Sequence, residues 1–427
     1  MRVPWLFFSV VILAAVPCRA QVPQKLTLQE AEQIAIQNHP QIQAATQLAS
    51  AAAAQVQEAR SFYYPQAYGS LTGVEAENNS RIAAGSLNNP VIYDRFAEGL
   101  AVNQLVTDFG RTYQLVKSSH LRAQAQQENV TATRADVLLA LNQAYFGALK
   151  AQAVLQVAEQ TVKSRQLVAE QTSALQKSNL KSGLDVSFAN VDLAQAQLLL
   201  IQAKNDVLAS FAELSNDLGY SDQRIFQLAD EPLPPEPPAD VTPLLQEALQ
   251  NRPELIRQGL DVKAAQSFAT AERDLWFPTI SAAGATGLIP YRQDTLSSRY
   301  AAAGFNVNIP IFNGRLFTAR HSEASSQAKA QQQYLRDLQD RIVRDVRTAW
   351  LNAGSAFQRL AVTEQLLNEA TQAFDLAQSR YGLGLSSIVE LSQAQLNKTQ
   401  AEILKVSAQY EYTGQIANLN YQLGRMQ

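Results

Sequence analysis

Apolar and small residues return every seven positions along most of this chain. Between about Leu115 and Gln176, a stretch without proline, Val130, Val137, Ala144, Ala151 and Ala158 form one row, and Leu141, Ala148, Leu155, Val162 and Ala169 a second. Two rows at this spacing are the seam of a coiled coil. The pattern returns in Leu335, Ile342, Ala349, Ala356 and Thr363, beside Val346, Ala353, Leu360, Leu367 and Phe374. Return helices follow each long one, with seam rows read as Val191, Leu198 and Ala212 beside Ala194, Ile201 and Leu208, then Leu396, Ile403, Tyr410 and Ala417 beside Val406. Alanine is abundant at these positions, so the helices can approach closely on two sides, where an ordinary bundle would carry more Leu and Ile. At 1.5 Å per residue, Gly110 to Ser178 spans roughly 100 Å, too long for a compact globule. Pro40 to Tyr64 and Val186 to Leu218 together reach roughly 87 Å, so two short helices stacked end to end match one long one.

Within residues 66 to 108 and 279 to 311 the period changes from seven to two. Ala301, Ala303, Phe305, Val307 and Ile309 alternate with Ala302, Gly304, Asn306 and Asn308, which suits a wall between lipid and water. The first copy departs from this, because Leu100 and Val102 fall on the parity expected to be polar. Each copy offers two strands of about 10 residues, the length that spans a bilayer when tilted. An open four-stranded sheet cannot sit in lipid with its edge amides and carbonyls unpaired, so several chains must close one barrel.

The chain is duplicated. Asn38-His39-Pro40 returns as Asn251-Arg252-Pro253 and Tyr64-Pro65 as Phe277-Pro278, both shifted by 213. Arg95, Gly110 and Arg111 return as Arg299, Gly314 and Arg315 at a shift of 204, so nine residues are lost between Pro278 and Arg299. From Ala144-Tyr145 (Ala349-Trp350) to Leu218-Gly219 (Leu423-Gly424) the shift is a constant 205. The first repeat is expected over 21–219, with strands in 66–108 and a hairpin over 111–218, and the second over 244–427, with strands in 279–311 and a hairpin over 315–424. Residues 220–243 carry Pro232, Pro234, Pro235, Pro237, Pro238 and Pro243, which disfavour helix and predict an extended linker.

Residues 1–20 read as a secretory signal peptide: Arg2, an apolar core from Trp5 to Val16, and the small-residue end Cys18-Arg19-Ala20. Cleavage there removes the single cysteine. Lipidation of Cys18 is the rival reading, and Val16-Pro17 fits a lipoprotein site poorly. Beyond residue 20 no run approaches the ~20 consecutive apolar residues of a membrane helix. A net charge of −3 and a pI near 5.8 give no source of phosphate attraction, so nucleic acid is excluded as a partner. His39, His120 and His321 are scattered, and no glycine-rich phosphate loop or nucleophile elbow occurs, so the reading is a protein without cofactor, metal or catalytic centre.

Four features recur together: Leu26 to Ala31 (Leu-Thr-Leu-x-Glu-Ala), the Asn-x-Pro helix starts, the Phe-x-Gly-Arg type ends of the strand pairs, and the tip Arg380-Tyr381-Gly382-Leu383-Gly384-Leu385. On these, over nearly all of its mature length, the chain resembles the TolC-like outer-membrane efflux family. The resemblance implies a mainly α chain with a membrane β-barrel part, in which three copies build a twelve-stranded barrel above a long periplasmic α-barrel closed at its far tip. A homotrimer in outer-membrane lipid, with a periplasmic adaptor protein and an inner-membrane transporter as partners, is implied with it. The function implied is a passive exit duct for efflux or type I secretion. The resemblance maps the periplasmic constriction onto Glu390 and Gln393, with first-copy counterparts Asp185 and Phe188, and a latch onto Tyr381; Ser386 stands where some relatives carry arginine. Rings of Asp185 and Glu390 would favour cations. The rival reading makes both helix-start acids that complement the helix dipole. Adaptor docking falls on the tips, at Ser178, Asn179 and Leu180 and at Leu383, Gly384 and Leu385. A competing reading of the whole chain is a soluble periplasmic coiled-coil scaffold whose strand regions are loops.

Overall fold

The computed structural model describes residues 25–81 and 91–426. The expected signal peptide, with Cys18, lies outside the described residues, as do residues 82–90 of the first strand region.

One order of elements occurs twice. A two-residue strand β1 (Lys25–Leu26) leads into helices α1 (Leu28–Asn38) and α2 (Pro40–Arg60), strands β2 (Gln66–Val74) and β3 (Arg95–Thr107), and the hairpin α3 (Arg111–Lys177) and α4 (Gly183–Asp217). After β4 (Gln227–Leu228) come α5 (Thr242–Asn251), α6 (Pro253–Arg273), β5 (Thr279–Arg292), β6 (Arg299–Asn308), α7 (Leu316–Gly382) and α8 (Ile388–Gln422). Both long helices, α3 and α7, have 67 residues, or ~100 Å of rod.

Proline and glycine set the joints. Pro40 and Pro253 stand in the first turns of α2 and α6, where a missing N–H costs nothing. At the other end of each short stack, Gly219 (φ +80) and Gly424 (φ +73) adopt the left-handed conformation, where a Cβ would lie 2.9 Å from the carbonyl carbon and oxygen of Asn38 and of Asn251 respectively. Only glycine lets α4 butt against the start of α2, and α8 against the start of α6. Leu218 and Leu423 beside them are fully buried. Near the sheet the helices lie in the order α2, α3, α6, α7, and toward the tips in the order α4, α3, α8, α7. One curved layer results, with α2 or α4 at one edge and α7 at the other.

The seam of the return helices differs from the expected one. Val191, Leu198, Ile201, Leu208 and Leu396 are exposed, while Ala189, Ala196 and Ala203 in α4 and Ala394, Ala401 and Ala408 in α8 are buried. Alanine lets α3 and α4, and α7 and α8, pack at close range; the bulkier heptad row is left facing outward. On α4 that outer row is apolar enough to make it the one described helix whose length and composition would suffice to cross a membrane. It pairs with α3 instead, and its bare apolar face is a lateral edge.

The strand parity is also resolved. Leu100 pairs with Thr286 and Val102 with Gly284, and these in turn pair with Ala301 and Ala303. Directly opposed residues share a face of the sheet, so Leu100 and Val102 lie on the side of Phe305 and Val307. A bulge between Leu105 and Thr107 supplies the reason: Val106 is an extra residue that reverses parity relative to the 204-residue repeat.

The proline-rich segment is strapped down. β4 pairs in parallel with β1, and the single hydroxyl hydrogen of Tyr145 is shared between the carbonyls of Leu26 (2.8 Å) and Ala229 (2.7 Å). Trp350, the repeat counterpart of Tyr145, donates from Nε1 to the Pro238 carbonyl at 2.8 Å. Pro243, read as part of the linker, stands in the first turn of α5.

Candidate functional site: the membrane sheet and the hairpin tips

Strands β2, β3, β5 and β6 form one antiparallel sheet in that order. The register puts Leu71, Leu100, Val102, Leu288, Phe305 and Val307 on one face and Gln66, Ser70, Asn103, Ser281, Asn306 and Asn308 on the other. The outer edges of β2 and β6 have no strand partner among the described residues. Where the sheet meets the helices, Phe62, Tyr63, Tyr64, Trp276, Phe277 and Phe312 are exposed as a collar. Phe109 approaches Phe277 at 6.2 Å, and Trp276 meets Phe317 edge-on at 5.6 Å. Aromatic rings beside an apolar band mark a membrane interface.

About 100 Å away along α3, both hairpins turn through the same backbone. Leu180 N–H donates to the Leu175 carbonyl (2.9 Å) and Leu385 N–H to the Arg380 carbonyl (2.8 Å), with Asn179 (φ 58) and Gly384 (φ 73) left-handed between them. Ser178 ends α3 as its C-cap. Leu180, Leu383 and Leu385 are exposed. Asp185 and Glu390, equivalent in the repeat, behave differently. Asp185 is held in a reciprocal cap, accepting from Ser182 N–H (2.9 Å) and Oγ (2.8 Å) while its own N–H donates to Ser182 Oγ. The backbone bond from Ser182, then its hydroxyl and more weakly Lys181, hold the Asp185 carboxyl below its ordinary value. The cap role weighed for Asp185 is thus the one its geometry displays. Glu390 N–H donates to Ser387 Oγ at 3.3 Å, but its carboxylate turns away to Arg380, 3.4 Å from Nε. Gln393 donates from Nε2 to Asn397 Oδ1 at 2.9 Å.

Tyr381 joins the two hairpins. Its ring packs on the cluster of Phe374, Ala377, Ile388 and Leu391 with Val168, and Lys181 of the other tip lies 3.8 Å above it. Its hydroxyl is buried without a hydrogen-bond partner among the described residues.

A second junction, absent from the sequence reading, lies deeper. Arg165 on α3 forms an ion pair with Asp192 on α4 at 3.2 Å and donates to Gln395 on α8, while Ser392 donates to the same Asp192 carboxylate. Arg165 and Gln395 are buried. Burial lowers the Arg165 pKa, and Asp192 opposes that shift. The signal was legible in principle: Arg165 continues the row Ala144, Ala151, Ala158, where a charge needs a partner. Among the described residues no group of His, Cys, Asp and Glu is arranged to hold a metal ion.

The family model described as outer membrane efflux protein matches residues 32–220 and 244–425, which takes in both repeats. The chain belongs to the outer membrane efflux protein family. Among curated relatives, outer membrane protein TolC of Escherichia coli (strain K12) is 20% identical over 420 residues, covering 95% of this chain and 84% of TolC. Protein CyaE of Bordetella pertussis is 25% identical over 381 residues, 87% of this chain and 78% of CyaE. In fold, this efflux protein superposes on CusC with a TM-score of 0.83 (19% identity; 94% of this chain, 93% of CusC). It superposes on the Campylobacter jejuni CmeC outer membrane channel with a TM-score of 0.79 (18% identity; 99% and 93%). As a member of this family it is an outer-membrane channel protein and not an enzyme, mainly helical, with its helices on the periplasmic side.

Proposed function

We propose that three copies of this efflux protein close into one passive exit duct, with a twelve-stranded barrel in the outer membrane and a helical tunnel below it, opened at its periplasmic tip by an adaptor protein and an inner-membrane transporter. The observation that carries the reading is a sheet with an apolar face and two edges that have no strand partner among the described residues. In lipid each unpaired edge group costs several kcal/mol, and copies joined β6 to β2 leave none. The helices support the same closure. Leu198, Ile201 and Leu208 are exposed along α4, and Leu351, Val362 and Leu376 along α7, on opposite edges of the layer. Burying one such side chain stabilises by about 1.5–3 kcal/mol. Both edges are therefore satisfied by the same head-to-tail ring.

In this duct Asp185, Glu390, Gln393 and Tyr381 belong to the inner mouth, and Ser178 to Leu180 and Leu383 to Leu385 to the surface an adaptor grips. Exposed leucines on a tight turn are costly unless covered. Residues 1–20 act as the export signal, and 220–243 as the strap between repeats. A soluble scaffold leaves the sheet and its aromatic collar without a purpose.

The decisive experiment combines fractionation with a planar bilayer. The protein should partition with the outer membrane, purify as a trimer and conduct ions. A soluble monomer, or a membrane trimer without conductance even after Arg165→Leu loosens the tip, would refute the duct.

A further inference from the structure

We propose that Arg380 sets the ion preference of the inner mouth by cancelling the charge of Glu390, so that the mouth admits anionic and zwitterionic solutes as readily as cations. The inference rests on the duct reading, which gathers the tips of three copies around one axis. It replaces the expectation of an acidic, cation-favouring ring.

Three observations carry it. Arg380 Nε lies 3.4 Å from Glu390 Oε1, and its Nη2 donates to the Leu385 carbonyl at 3.4 Å, so the guanidinium is anchored across the turn. Arg380 stands in the last turn of α7 and Glu390 in the first turn of α8, so each charge is also favoured by its own helix end. Finally, residues 165–192 and their repeat counterparts 370–397 together contain four basic and five acidic side chains, so the tip carries a net charge of only −1. Asp185 has Lys181 nearby, and Asp192 has Arg165.

Both members of the Arg380–Glu390 pair are about half exposed, so the pair contributes little to stability. Selectivity is a different quantity. A permeating ion responds to the summed charge within a Debye length, roughly 8 Å at physiological ionic strength, and a separation of 3.4 Å falls well inside it. Seen from the axis, the pair is a dipole where an unaccompanied Glu390 would be a charge.

The test is the reversal potential of the purified full-length protein in a planar bilayer under a KCl gradient. The unaltered protein should discriminate K⁺ from Cl⁻ by no more than about twofold. Arg380→Gln should raise the cation-to-anion permeability ratio roughly threefold or more, Glu390→Gln should lower it by a similar factor, and the double variant should return to the starting value. Should Arg380→Gln fail to assemble, Glu390→Gln and the double variant give the same reading. Strong cation preference that Arg380→Gln leaves unchanged, or single variants that move the ratio the same way, overturn the inference while leaving the duct intact. A trimer that never conducts overturns both.

Discussion

The two hairpin tips descend from one sequence and share one turn, yet they are wired differently. At a shift of 205, Arg165 stands against Ala370, Asp192 against Asn397, Lys181 against Ser386, and Leu175 against Arg380. The first hairpin uses its acids structurally, Asp185 in a cap and Asp192 between a buried arginine and Ser392 of the second hairpin; the second presents Glu390 to its own Arg380 at the surface. Duplication thus preserved the backbone while charge diverged. Three of the divergent residues, Arg165, Lys181 and Asp192, tie hairpin to hairpin, and the fourth, Arg380, joins the two arms of the second.

The largest effect is expected at that tie. Arg165→Leu leaves the Asp192 carboxylate with Ser392 alone in a site that is only 18% exposed, which should cost about 3–5 kcal/mol of local stability. Hydrogen exchange at the tip should accelerate accordingly, and channel conductance should rise. Adding Asp192→Leu should recover most of the loss; if it does not, the clasp is packing rather than charge.

Next come the joints, where the repeats agree. Gly219→Ala and Gly424→Ala each force a Cβ to 2.9 Å from a backbone carbonyl at positive φ, and each should cost more than about 1 kcal/mol. Equal falls in the denaturation midpoint would show that both stacks are built alike. A neutral result at either position would remove the end-to-end stacking there.

A smaller contrast separates the caps. Ser182→Ala breaks a reciprocal cap and should cost about 1 kcal/mol, whereas Ser387→Ala removes a one-way bond and should cost about half as much. Exchange rates of the first-turn amides of α4 and α8 compare them directly. The smallest effect is on pH. Because Asp185 titrates below its ordinary 3.8 when folded, its cap contributes fully above about pH 4 and is lost as pH falls through the depressed value. Fraying of α4 that begins near neutral pH would contradict that sign.

Much of the architecture could be read from residues alone, because period and proline are local signals. Heptads located α3 and α7, the alternation in 301–309 located β6, and the Asn-x-Pro pairs located the joints. Which row of a helix is the seam is not local: Ala189, Ala196 and Ala203 are inner and Leu198 and Ile201 outer because alanine permits the closest approach to α3. The parity of β3 turned on one inserted residue, Val106, which no alternation rule detects. At the tips the sequence singled out Asp185 and Glu390, but not Asp192 and not the arginines that face these acids. Arg380 meets Glu390 only through the turn between α7 and α8, and Arg165 meets Gln395 across 230 residues.

The proposed duct depends on β6 of one copy pairing with β2 of the next. Single cysteines scanned along β2, each combined with one in β6 of the mature chain, measure this directly by oxidation in isolated outer membranes. The ring predicts crosslinks at particular positions of one register that run on to a covalent trimer and stop there. Chains that remain monomeric at every position, or that extend beyond three, would contradict it.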